Sequence, residues 1–529
     1  MDDTMEKVAS KTSKRRQSTA THDSAPQAGD TELLATLGYK QELRRHYSTL
    51  QIFAVAFSIM GLLPSIATTL AFSMPAGPVG MVWADLASAM PTAGGLYFWT
   101  HYFASEKWKN PLSFLVGYSN TLGLIGGICS IDYGFANMLL SVISLARDGN
   151  WSATRPIIYG TYVATVVSHG FIAIFFARIM PKIQSACIFL NIALVLATPP
   201  VNPGSYVFGE IQNSTAWPTG WAFIMAWLSP IWTIGAFDSC VHMSEEATHA
   251  ARAVPLGIIS SVGLCGILGF VSLAVIAASM DRNIEGILGS KFGQPMTQIY
   301  YDALGKKGAL GFMSVVMIVQ FFMGLSIVLA ASRQTWAFSR DNALPLSSFF
   351  RKVSQRKSMR YQPVRMVCGV VLSSVIIGLL CLIDEAAANA LFSLAVAGND
   401  LAWLTPILAR LVWGGDRFIP GEFYTGKYLS KPIGWVAVIY MVFVIVLSMI
   451  PSGGPNPSGE LLYNILSMGA FTDLMFEAQT MNYTIVINGS LWVGALIYYY
   501  LHARKTFKGP MTNISPEDEG MALEKDSKR

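Results

Sequence analysis

Apolar residues along this chain gather into long runs separated by short polar connections, without the alternation of a half-buried strand. A helix needs about 20 predominantly apolar residues to cross a bilayer. Runs of that kind are predicted near 50–74, 112–144, 156–176, 183–201, 221–243, 256–280, 309–337, 366–383, 387–412, 433–450 and 481–501, with a weak stretch at 76–99. Two runs are interrupted by glycine-containing turns. The first break is Gly61-Leu62-Leu63-Pro64 and the second is Gly235-Ala236-Phe237-Asp238. In hydrocarbon every backbone group must be satisfied internally, so unwound backbone survives only where it lines a cavity inside protein. Paired interrupted helices, in corresponding places of two halves, point to the binding site of a secondary transporter. The pattern predicts an all-α polytopic membrane protein that works as a carrier.

The polar positions divide the chain further. Residues 1–49 carry Lys11, Lys14, Arg15 and Arg16 among many Ser, Thr and Asp, and lack the apolar core of a cleavable signal peptide. They are predicted to be a largely disordered tail, with disorder to about Asp30 and a candidate docked piece at Glu32-Leu33-Leu34 and Gly38-Tyr39-Lys40. Residues 50–504 form the transporter domain, and 505–529 are again a polar tail. If 76–99 crosses, 31 of the 37 Lys and Arg fall on the side of both tails. Positive charge marks the cytoplasmic side, so both termini are expected in the cytosol, with an even number of crossings. Yet the stretch from Ala76 to Trp99 contains Asp85, prolines and several glycines, and is a poor lone span.

Composition agrees with the membrane reading. The chain is 52% hydrophobic and 13% charged, against roughly 25% charged in a soluble domain. The six cysteines fall in apolar segments with no CxxC pair, and are read as buried small hydrophobes. Neither a metal site nor a phosphate-cradling GxxxxGK[ST] loop is present in the sequence. An ATP-driven cassette, an enzyme and a nucleic-acid partner are therefore not expected. An ion gradient takes the place of a cofactor.

Ionisable residues inside the spans narrow the chemistry, because a charge at mid-bilayer costs at least about 2.5–3.5 kcal/mol. The candidates are Asp132, His169, Asp238 and Asp400. Asp238, at the second break, would meet a cationic substrate or exchange a proton; alternatively it caps the helix that restarts there. Asp132 would do the same, or bond a neighbouring helix. At a break, the second half-helix exposes free N–H groups suited to a carboxylate, and the first half exposes carbonyls suited to an ammonium group. A small zwitterion fits both. Gly61 supplies backbone freedom, and Pro64 suits a helix start. The predicted substrate site is Gly61, Leu62, Leu63, Pro64, Ser65, Asp132, Trp232, Gly235, Ala236, Phe237 and Asp238. Glu245 and Glu246 with Arg333 or Arg340 are read as an inner gate or, equally, as a solvated loop.

Several longer runs carry a resemblance. Leu37-Gly38-Tyr39-Lys40-Gln41-Glu42-Leu43, the stretch from Phe57 to Ala67, and Pro91-Thr92-Ala93-Gly94-Gly95-Leu96-Tyr97 closely resemble the fungal GABA permeases. So do the stretch from Trp232 to His242, Ser244-Glu245-Glu246-Ala247, and the stretch from Ser332 to Asp341. These permeases belong to the amino acid–polyamine–organocation superfamily, and the resemblance covers residues 32 to about 510. It implies a LeuT-like fold of two inverted five-helix repeats plus two C-terminal helices, with substrate at the first and sixth helix breaks. It also implies uptake of 4-aminobutyrate or related amino acids by proton symport and alternating access, in the plasma or vacuolar membrane. A polyamine, choline or broad amino-acid permease, or a transport-inactive sensor of the same fold, is the alternative. The oligomeric state is left open. Two departures stand out. The second helix is short by roughly four turns between Trp83 and Asp85, and Gly459 to about Glu477 reads as an insertion. An altered splice product or a mis-assigned gene structure would account for both.

Overall fold

The computed structural model describes residues 25–61, 65, 77–177, 179–186, 202–210, 213, 217–355, 361–383, 385–415, 417–450 and 484–513. Among these the chain is helical, with one isolated parallel bridge joining Tyr47 to Ala247. The helices Lys109–Ala146, Arg155–Phe175, Ala250–Ser279, Pro295–Arg340, Val364–Leu382 and Ser430–Ser448 are long and apolar enough to cross a membrane. Thr49–Met60 and Val486–Leu501 are shorter apolar helices, and Glu385–Ala409 adds a further long one. The expected span at 183–201 and the insertion at 459–477 fall largely or wholly outside the described residues.

Lys109–Ala146 is the axis of the bundle. Its 38 residues run about 57 Å at 1.5 Å per residue, and it packs chiefly against Glu385–Ala409 and Pro295–Arg340. Small residues let these backbones close up, as where Gly117 meets Phe338 and Gly123 meets Asn399. Pro295–Arg340 is not one continuous rod: Gly305, at φ +67°, breaks it ten residues from its start. Before that break Met296, Ile299 and Tyr300 join Met138, Leu145 and Ile276 in a separate apolar cluster.

The weak stretch resolves into two helices, Gly77–Ala89 and Gly95–Phe103, with the chain turning between them at Met90–Gly94. The first has 13 residues, about 20 Å of helix against a hydrocarbon core of about 30 Å. Asp85, which spoiled the hydropathy, is an anchor. It accepts from the Thr425 amide at 2.9 Å, the Thr425 hydroxyl at 2.8 Å and the Ser430 hydroxyl at 2.7 Å, with Arg410 at 3.8 Å. Trp83 packs edge-on against Trp99, Phe237 and Trp403, tying this short helix to the second break.

The tails correct the sequence reading in part. Ala25–Thr36 is a helix, and Leu34, Tyr39, Leu43 and Tyr47 are buried, so the docked piece is longer than expected. Asp30 caps Ala250–Ser279 by accepting from the His249 and Ala250 amides, while Arg45 donates to the Ala247 carbonyl at 2.7 Å. Near the other terminus, Asn513 bonds Gly38, Lys40 and Glu42, which staples the two tails together. Of the described cysteines, Cys368 is exposed on an apolar helix, whereas Cys129, Cys240, Cys265 and Cys381 are buried as expected.

Candidate functional site

Thr49–Met60 starts where the Gln51 side chain accepts from the Ser48 amide at 2.9 Å, and it stops at Gly61, whose φ of +38° no longer continues a helix. The Ser65 hydroxyl donates to the Met60 carbonyl at 2.6 Å, which satisfies one of the freed acceptors. Leu62, Leu63 and Pro64 lie outside the described residues. The other run breaks after Leu228–Thr233 and restarts at Ser239–His242. Between them Ala236 holds φ +61°, a conformation rare for a residue with a Cβ and one that costs of order 1–3 kcal/mol.

The two breaks face one cavity. Its wall includes Ile59 from beside the first break and Trp232, Gly235 and Ala236 from the second, closed by Ile131, Met323 and Asn399 from the surrounding helices. About 40 Å³ is open within it, room for a few waters and far below the roughly 300 Å³ of a drug-sized ligand site. Met323 is the movable part of that wall: a flexible thioether side chain lying where a Cβ on Gly61 would stand, 2.7 Å from its sulfur. The indole N–H of Trp232 has no hydrogen-bond partner among the described residues.

The expected site residues thus divide. Trp232, Gly235 and Ala236 line the cavity, and Gly61 meets it through Met323. Phe237 stands behind it, in the aromatic stack with Trp83 and Trp403. Asp238 is also behind the wall. Its Oδ2 accepts from Asn120 Nδ2 at 2.9 Å and faces His242 Nε2 at 3.3 Å. Asn120 Nδ2 also contacts Asn399 Oδ1 at 3.2 Å, so a chain of polar contacts runs from Asp238 to the cavity wall. Asp132 pairs with His169 at 3.2 Å, one residue beyond the wall residue Ile131. Asn120, Asn399, His242 and Met323 escaped the sequence reading. An amide side chain inside an apolar run is a signal of the same kind as a carboxylate, and would have found the two asparagines.

Glu245, Glu246, Arg333 and Arg340 do come together, all buried. Arg340 makes a two-pronged pair with Glu245, each N–O distance 3.1 Å, and Arg333 Nε meets Glu246 at 2.7 Å. The Arg340 guanidinium lies 4.0 Å from the Tyr39 ring centre and 4.8 Å from that of Trp336. Just past the helix, Asp341 Oδ2 accepts from the hydroxyls of Tyr97 and Tyr39 at 2.8 and 3.0 Å, and Oδ1 from the Met511 amide at 3.2 Å. Burial pushes its carboxyl up to about 6, against the opposing pull of Arg340 and of these three donors. This end of the bundle is latched by both tails.

Membrane-length helices packed around facing backbone breaks define a polytopic helical membrane protein. Residues 46–471 match the amino acid permease family. The chain is 43% identical to the GABA-specific permease of Saccharomyces cerevisiae, over 94% of this chain and 88% of that one. It is 33% identical to an uncharacterized amino-acid permease of Schizosaccharomyces pombe, over 95% and 93% of the two chains. A putative polyamine transporter of Candida albicans matches at 28%, over 92% and 90%. The chain belongs to the amino acid permease family and is a transporter, not an enzyme.

Proposed function

We propose that this permease imports 4-aminobutyrate or a closely related short amino acid by proton symport, with alternating access around the cavity between the two breaks. The observation that carries this reading is that the end of one helix at Gly61, through Ile59 and Met323, and the break at Gly235-Ala236 meet at one small cavity. Carbonyls at the end of Thr49–Met60 attract the substrate ammonium. The unpartnered Trp232 indole N–H, with freed amides of the second break, suits the carboxylate. Because the open volume is small, loading has to displace Met323 and reopen the wall. Glu245–Arg340 and Glu246–Arg333, on the lysine- and arginine-rich side with both tails, act as the cytoplasmic gate in this scheme. The fold is read as LeuT-like inverted repeats, in the plasma or vacuolar membrane.

Uptake of radiolabelled 4-aminobutyrate by cells lacking their own permeases tests this directly. Saturable uptake that unlabelled 4-aminobutyrate inhibits and putrescine does not is the expected result. Inhibition by putrescine alone would favour a polyamine permease, the reading that the Candida relative's name supports.

A further inference from the structure

Asp132 and His169 lie on the adjacent helices Lys109–Ala146 and Arg155–Phe175, both with no exposed surface. His169 Nδ1 stands 3.2 Å from Asp132 Oδ2. An ionised carboxylate only accepts, so this contact places the ring proton on Nδ1. On the far side of the ring, Nε2 has no hydrogen-bond partner among the described residues, and neither has Asp132 Oδ1. The imidazole can therefore gain or lose a proton at Nε2 while keeping the bond that orients it.

The pair is placed to respond to the cavity. Ile131, one residue before Asp132, lines the wall, and Met323, one residue before Gly324, lines it from another helix. At Gly324 an added Cβ would sit 2.1 Å from Asp132 Oδ1 and 2.6 Å from His169 Cε1, so the helix carrying Met323 touches the pair through a hydrogen atom alone. Displacing Met323 to admit substrate moves the surface against which both side chains rest.

Few other titratable groups face the pair. On its own helices are Tyr133, Cys129 and Tyr162, the last two 3.3 Å apart, with Tyr162 donating to the Ser374 carbonyl at 2.6 Å. Cys381 follows the neighbouring Val364–Ile377 helix, near Cys129. Pro295–Arg340 presents Gln320, Phe321 and Gly324, and has no ionisable residue from 308 to 332. Neither Asp132 nor His169 makes a second ion pair among the described residues.

We infer that the Asp132–His169 pair carries the driving proton, an inference that rests on the symport reading above. His169 Nε2 takes one proton from the outer side, turning a buried anionic pair into a net-neutral ion pair. That proton leaves Nε2 for the cytosol after the substrate has gone. Burial disfavours uncompensated charge, so the loaded form is the one that crosses closed. The unloaded pair carries one net negative charge, whose outward return an inside-negative potential assists.

The experiment uses the full chain in proteoliposomes, with 4-aminobutyrate as probe and an internal pH dye. A gradient of one pH unit supports about tenfold accumulation per proton. Wild type should concentrate substrate with proton entry, and more so as the outside is acidified. His169→Gln should lose that pH dependence and proton entry, and should fall to an accumulation ratio of about one, while counterflow persists. Retained proton-driven accumulation in His169→Gln overturns the inference, as does its abolition by Asp400→Asn with His169→Gln still coupled. Folded His169→Gln that has lost counterflow also overturns it. Should His169→Gln not fold, Asp132→Asn is judged the same way, and failure of both to fold would assign the pair to the frame and overturn it. Wild-type transport without proton entry removes symport and the inference together, whereas absence of any amino-acid uptake removes the substrate reading itself.

Discussion

Two carboxylate–imidazole pairs lie buried in this permease, with similar contact distances of 3.2 Å for Asp132–His169 and 3.3 Å for Asp238–His242. Each leaves one carboxylate oxygen without a hydrogen bond among the described residues. Their imidazoles differ. His242 Nδ1 faces the Ala93 carbonyl at 3.0 Å, an acceptor that holds a proton on that nitrogen, while Nε2 is committed to Asp238, which Asn120 also holds. Both nitrogens of His242 are engaged, so changing its proton count breaks a bond. His169 has one nitrogen engaged and one without a partner among the described residues. The same residue types thus give a brace in one place and a proton site in the other, and the second partner of the ring decides which.

The sharpest way to break that comparison is to remove one partner of the braced pair. Asp238→Ala strips the buried His242 Nε2 of its carboxylate and leaves Asn120 with Asn399 alone, and should cost about 3–5 kcal/mol. Thermal unfolding in detergent should drop steeply, and counterflow and accumulation should vanish together, unlike in His169→Gln. Glu245 and Arg340 form a buried two-pronged pair that engages both terminal nitrogens of the guanidinium, so they should behave like the brace. Arg340→Ala should lower stability by a similar amount, about 3–5 kcal/mol. Transport that survives in Arg340→Ala at wild-type rate would remove the gate assignment.

Gly324→Ala wedges a methyl against the open pair and should cost about 1–3 kcal/mol in overpacking. Accumulation should fall more than counterflow; an equal fall in both would make the two pairs alike. The smallest effect belongs to Asp341, which sets a pH dependence away from the membrane interior. Its carboxyl is raised to about 6 by burial, above the ordinary value of about 3.9, so the folded state prefers the neutral form. Its contribution to tail docking is full at pH below the ordinary carboxylate value and is lost as pH rises through about 6. Hydrogen exchange at Tyr39 and Met511 should quicken across that window, and Asp341→Asn should flatten the change.

Much of the architecture was legible in the residues alone. Six membrane-length helices stand among the described residues where long apolar runs lie, and the backbone leaves the helix at Gly61 and around Gly235-Ala236, although Pro255 and Pro406 stay inside helices. The weak stretch misled for a local reason. Hydropathy counts Asp85 as a fault, whereas in the fold it is an acceptor for Thr425 and Ser430, some 340 residues away along the chain. The docked piece was read no further than Glu32-Leu33-Leu34 and Gly38-Tyr39-Lys40 because the partners of Asp30 and Arg45, the His249 amide and the Ala247 carbonyl, arrive from elsewhere.

By itself, then, the sequence determined that this chain is a helical polytopic membrane transporter, and its motifs pointed to its family. Those are consequences of composition and local backbone preference, which need no knowledge of neighbours. Only the tertiary structure decided that Asp132 and Asp238 stand behind the cavity wall, that each has its own histidine, and that one histidine keeps a nitrogen free. A side chain's role inside a low-dielectric bundle is set by which groups share its last few ångströms, and these come from helices that lie far apart in the chain.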